Sequence, residues 1–149
     1  DIKKSTPIYI GANETSNRHW SHWFYGDTFN NLLRNFGNLQ EWSFVTFEES
    51  AEDTAQAIDI FDDGSIWAIN VPGHTPGSIA YLVNSTTGPQ LITGDAIHTR
   101  IGWELRVPQS GLASISLREQ EQESSNFLHE LVGQNPQIKV HLGHQEIGG

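Results

Sequence analysis

Three short apolar stretches, each broken at a glycine and each followed by a histidine or an aspartate, constrain this chain more than any other feature. Ile66 to Val71 reads as a buried strand running into the tight loop Pro72-Gly73-His74-Thr75-Pro76-Gly77-Ser78. Further on, Leu91-Ile92-Thr93 is a short strand that breaks at Gly94 and presents Asp95. Late in the chain, Ile138-Lys139-Val140-His141-Leu142 leads into Gly143-His144. Strand ends are rigid, and glycine lets backbone and ligand approach closely. A histidine, a carboxylate and a second histidine at three such ends therefore suit a metal site, His74, Asp95 and His144 being its candidate ligands. Each has a bland competitor: a turn histidine capping its own loop for His74, an Asx-turn residue for Asp95, a surface histidine for His144. The three units together are far more specific than any one of them.

The rest of the chain supplies a sheet and its cover. Ile58 to Phe61, Asp62-Asp63-Gly64-Ser65 and Ile66 to Val71 spell a hairpin, with Asp-Gly providing the positive φ of a tight turn. Ile79 to Val83 is another strand, Asn84 to Pro89 a turn, and Gln90 to Thr93 the strand returning to Asp95. Upstream, Pro7-Ile8-Tyr9-Ile10 is a short strand closed by Gly11. Asn13 to Tyr25 is crowded with His19, Trp20, His22, Trp23, Phe24 and Tyr25. Asp27 is a plausible N-cap for a helix with Phe29, Leu32, Leu33 and Phe36 on one face; Gly37 ends it. Trp42 to Phe47 alternates as a strand would, and Glu48 to Asp53 is an acidic, solvated loop. Ala96 to Ala113 reads as a long irregular segment, a kind of loop that is usually functional or mobile. His98 and Trp103 within it are candidates for lining a substrate pocket, with ordinary loop packing as the alternative. Ser116 and Glu119 form a capping box at the head of a helix whose Leu117, Glu121, Ser124, Leu128 and Leu131 share a face, and Gly133 and Pro136 stop it. His129 is expected on the solvated side of that helix. His141 is expected on the sheet face opposite Val140 and Leu142. This order of elements predicts an α/β or α+β fold, a mixed sheet flanked by helices.

Composition narrows the partners. A chain of 149 residues with 36% hydrophobic content is enough for one domain with a real core. The formal charge of −10 argues against nucleic acid, which is bound by a positive face. No apolar run approaches the ~18 residues of a membrane span. The absence of cysteine excludes disulfides and thiolate ligands without fixing the compartment. The absence of methionine means that the chain does not start at an initiator, so it is expected to be processed or a piece of something longer.

The motifs Pro72-Gly73-His74-Thr75-Pro76-Gly77-Ser78, Thr93-Gly94-Asp95 and Leu142-Gly143-His144 resemble, in order and spacing, the later metal-ligand motifs of the metallo-β-lactamase superfamily. The resemblance runs from about Pro7 onward. It implies an αββα sandwich of two similar halves with the metal site between the sheets at one edge. It also implies a binuclear zinc site, with His74 on one ion, Asp95 between the two and His144 on the other. The family's earlier His-x-His-x-Asp-His motif has no counterpart here, since His19-Trp20-Ser21-His22 has the wrong spacing. Residues 1–149 are therefore expected to be a single domain or half-domain, the second half of the fold, with the N-terminal half absent.

By that resemblance the protein is a metal-dependent hydrolase in which a metal-bound hydroxide attacks a lactone, ester or thioester. It is expected to be active only with the first half as its partner, and inactive or nearly so alone. Asp95 stands where the best-known β-lactam-cleaving members carry cysteine, which favours a lactonase or related esterase acting on a small molecule. The competing reading is a non-catalytic binding or self-assembling module derived from that fold, motivated by the missing motif and by the aromatic cluster from Trp20 to Tyr25, a candidate homodimer contact.

Overall fold

The structure is a computed structural model that describes residues 7–14, 39–41, 57–107 and 115–144. The expected helix at 29–36, the strand at 42–47, the acidic loop at 48–53 and most of the aromatic stretch at 13–25 lie outside the described residues.

A small sheet pairs β1 (Ile8–Ile10) with β2 (Leu39–Glu41) in parallel. The main sheet holds β3 (Ala57–Asp59), β4 (Ile66–Asn70), β5 (Ile79–Ser85), β6 (Gly88–Ile92) and β7 (Lys139–His141), in that spatial order. The first four are joined as antiparallel hairpins, and β7 runs parallel to β6. Two helices fill the crossover between β6 and β7: the short α1 (Arg100–Leu105) and the long α2 (Ile115–Gln134). A parallel pair needs such a crossover, because a tight turn cannot reverse the chain twice.

The register sorts side chains by face. Ile69 stands opposite Ala80, and Leu82 opposite Leu91. These apolar groups meet Leu128 of α2, with Phe127, Leu131 and Val132 packed around them. Val71, Ala96, Ile97, Ile138 and Leu142 extend the same core to the ends of β4, β6 and β7. The core therefore runs directly beneath the three loops that the motifs occupy.

Several local expectations need correction. The loop between β3 and β4 spans 60–65 and is not a tight two-residue turn. Asp59 accepts hydrogen bonds from Phe61 N at 3.4 Å and Gly64 N at 2.6 Å, which ends β3 early, and Asp62 as well as Gly64 takes a positive φ. The segment after Asp95 is not irregular throughout. Thr99 caps α1 by accepting from Gly102 N at 3.2 Å, and Arg106 ends it in a left-handed conformation. The long helix already includes Ile115, so Ser116 lies inside its first turn rather than at the N-cap. His129 is buried, not solvated: 9% of it is exposed, and its ring stacks on Trp103 at 3.9 Å. Its two nitrogens lie 2.7 Å from Ser125 O and 2.8 Å from Trp103 O, so the ring ties α2 to α1. His141 does sit on the opposite face from the core, exposed and beside Gln90. Among the described residues, no helix is long and apolar enough to cross a membrane.

Candidate metal centre

Asp95 lies in a single 3-10 turn, Gly94–Ala96, just past β6. Thr93 before it is fully buried. Its backbone N–H donates to His141 O at 2.9 Å and its hydroxyl to Ile97 O at 3.0 Å. That residue stitches the end of β6 to the end of β7. The stitching continues outward, with Gly143 N donating to Ile97 O at 3.1 Å and His144 N to His98 O at 3.0 Å. The loop carrying His144 is thereby laid along the turn carrying Asp95 and His98. Gly143 makes the close approach feasible: a Cβ there would collide with the Gly94 carbonyl and stand 3.2 Å from the Asp95 carboxylate.

The His74 loop is held from two sides. Val71 N donates to Ser78 O at 2.9 Å, and Thr75 N to Ser78 Oγ at 2.9 Å, which closes the loop on itself. Beneath it, Ser124 Oγ of α2 donates to Pro72 O at 2.7 Å, and Gly73 lies against the backbone of Glu121. Gly73 has φ +145°, and a side chain there would strike the helix. On the outer side Gly77 N donates to the Glu14 carboxylate at 2.8 Å, which anchors the loop to the segment after β1.

These supports bring His74, Asp95 and His144, remote in sequence, to one point. His74 Nε2 lies 3.8 Å from Asp95 Oδ2, and His144 Nε2 lies 3.0 Å from Asp95 Oδ1. His98, expected from the sequence to line a substrate pocket, also stands beside Asp95. Its Nε2 lies 3.7 Å from Asp95 Oδ1, and its ring is 5.0 Å from that of His74 and 4.7 Å from that of His144. The 3-10 turn ends at Ala96 and Ile97 is extended, and it is this bend in the backbone that returns His98 to the side of Asp95. Trp103 is not drawn into this group; its ring packs on His129 and against the core.

Asp95 is half exposed, with 50% of its side chain accessible, whereas His98 is more enclosed at 21%. Burial, first, and the neighbouring His74 ring hold His98 below the ordinary imidazole range; Asp95 and the buried Glu121 pull in the opposite direction. A neutral imidazole nitrogen is the form that ligates metal. His74, Asp95 and His98 each offer a ligand atom, and these atoms all lie within 4.8 Å of one another. The donor set of imidazole nitrogen and carboxylate oxygen, with no sulfur, suits zinc and similar divalent ions. The residues therefore fit a metal.

No protein-family profile matches the chain. Two curated proteins resemble part of it. An N-acyl homoserine lactonase, AttM, of Azorhizobium caulinodans is 34% identical over 74 residues, 49% of this chain and 26% of that relative. AttM of Agrobacterium fabrum is 35% identical over 75 residues, 50% of this chain and 27% of that relative. The matched stretch thus spans about a quarter of each curated relative. Among solved structures, a B. thuringiensis AiiA variant with N-decanoyl-L-homoserine at its active site superposes with a TM-score of 0.66 at 20% identity, over 97% of this chain and 48% of that one. An N-acyl homoserine lactone hydrolase with its product N-hexanoyl-L-homoserine at the catalytic metal centre gives the same values. A quorum-quenching N-acyl homoserine lactone hydrolase gives a TM-score of 0.65, over 96% of this chain and 50% of that one. The fold is that of a metallo-β-lactamase-type structure, of which this chain covers about half, and one stretch of the chain resembles N-acyl homoserine lactonases in sequence.

Proposed function

We propose that this chain carries the second-half machinery of a metal-dependent lactone hydrolase, with N-acyl homoserine lactones as the substrate class. The observation that carries the reading is the convergence of His74, Asp95 and His144 from three separate strand ends. The sequence and fold likeness to homoserine lactonases supports the choice of substrate. In this reading His74, Asp95 and His144 would hold the metal, with His74 beside one oxygen of the Asp95 carboxylate and His144 beside the other. Zinc fits the donors. A divalent cation held there would lower the pKa of a bound water to about 7 and polarise the carbonyl under attack.

The chain's own residues have defined tasks. Ser124, Gly73 and Glu14 fix the His74 loop; Thr93 and Gly143 fix the approach of His144 to Asp95. The half-exposed Asp95 leaves the centre open on one side, where substrate enters. Because the chain covers 48% of the AiiA structure, we take it to act as one half of a sandwich, whose other half provides the remaining ligands and the far wall of the substrate site.

The test is ring opening of N-hexanoyl homoserine lactone, beside an ester and a thioester, by the chain alone and by the chain reconstituted with the complementary half of a lactonase of this fold. Zinc-dependent lactone opening in the reconstituted sample, abolished by Asp95→Ala, is expected. Turnover indifferent to chelator and to Asp95→Ala, or none in any sample, would contradict the reading.

A further inference from the structure

We propose that His98 is a direct ligand of the same ion as His74 and Asp95, so that this chain by itself holds one three-residue cation site. The inference rests on the metal reading above and goes beyond the ligand set of His74, Asp95 and His144. It starts from geometry. Around a tetrahedral ion with bonds of about 2.1 Å, neighbouring ligand atoms are about 3.4 Å apart. His74 Nε2 lies 3.8 Å from Asp95 Oδ2 and His98 Nε2 lies 3.7 Å from Asp95 Oδ1, so the two imidazoles approach the two oxygens of one carboxylate at close to that spacing. The three ligand atoms also lie mutually within 4.8 Å, so they can share a centre rather than line up along a groove. His144, by contrast, stands 3.0 Å from Asp95 Oδ1, already at hydrogen-bond distance from the carboxylate, and outside that trio.

The position of His98 is also built. Its carbonyl accepts from His144 N and the neighbouring Ile97 carbonyl from Thr93 Oγ1 and Gly143 N, so the backbone on which the ring hangs is fixed before any ion arrives. The ring is the most enclosed of the three histidines around Asp95. Three protein ligands with one position left for water or substrate is the arrangement of catalytic zinc sites.

The experiment is a cobalt(II) titration of the 149-residue chain, wild type, His98→Ala, His98→Asp and Asp95→Ala, with affinity read by chelator competition and imidazole donors counted by X-ray absorption. Expected are two imidazoles on the first ion of the wild type. His98→Ala should lose one of them and weaken the first ion by about tenfold or more, and His98→Asp should recover most of the affinity. In the wild type, His98 ring protons should also be hyperfine-shifted in the NMR spectrum, a readout independent of how any variant folds. Unchanged affinity and imidazole count in His98→Ala, with binding still lost in Asp95→Ala, would overturn the role of His98 and leave the metal reading standing. No saturable binding by the wild type would overturn both.

Discussion

Gly73 and Gly143 show how single residues set the geometry of the centre. At Gly73 the positive φ and the contact with Glu121 both exclude a side chain. Gly73→Ala is expected to lower stability by about 1–3 kcal/mol in a thermal melt and to weaken metal binding by shifting His74. Gly143→Ala leaves φ unstrained but drives a methyl group into the Gly94 carbonyl beside Asp95. Its larger effect should fall on metal affinity, read by titration, because the clash lies at the ligand itself. The placement of His74, Asp95 and His144 just past strand ends was legible in the sequence. The approach of His98 to Asp95 was not, because an isolated histidine in an apparent loop gives no hint of how the backbone bends after the 3-10 turn.

Among the elements, α2 does most to join the core to the centre. Its apolar face was readable from the spacing of Leu117, Glu121, Ser124, Leu128 and Leu131, and Leu128 indeed lies in the core while Ser124 reaches the His74 loop. Leu128→Ala is expected to cost about 2–5 kcal/mol in chemical denaturation, with the centre losing order only as the whole sheet does. Ser124→Ala should cost only about 1 kcal/mol globally, yet loosen the His74 loop, which amide exchange at Gly73 and His74 would report. The buried His129 could not be foreseen, since a histidine on a helix is ordinarily solvated. What buries it is α1, an element with no clear periodic signature because six residues are too few to display one. His129→Ala leaves the Trp103 carbonyl and its stacked ring without their partner, and a loss of about 1–3 kcal/mol is expected.

At the scale of the molecule, strand alternation and turn residues made the antiparallel meander readable. The parallel pairing of β7 with β6 was less so, because register between strands separated by two helices is decided by tertiary packing. That pairing is what brings His144 beside Asp95, so the centre exists only in the folded chain. Metal binding should therefore stabilise folding by mass action, by about 2.7 kcal/mol when free ion is a hundredfold above Kd, and chelation should lower the melting temperature correspondingly. The measurement closest to the central claim is calorimetric titration of the chain with zinc, in parallel with Asp95→Ala. Saturable binding in the wild type that disappears in the variant is the expected result; no saturable binding, or binding that survives the loss of Asp95, would contradict it.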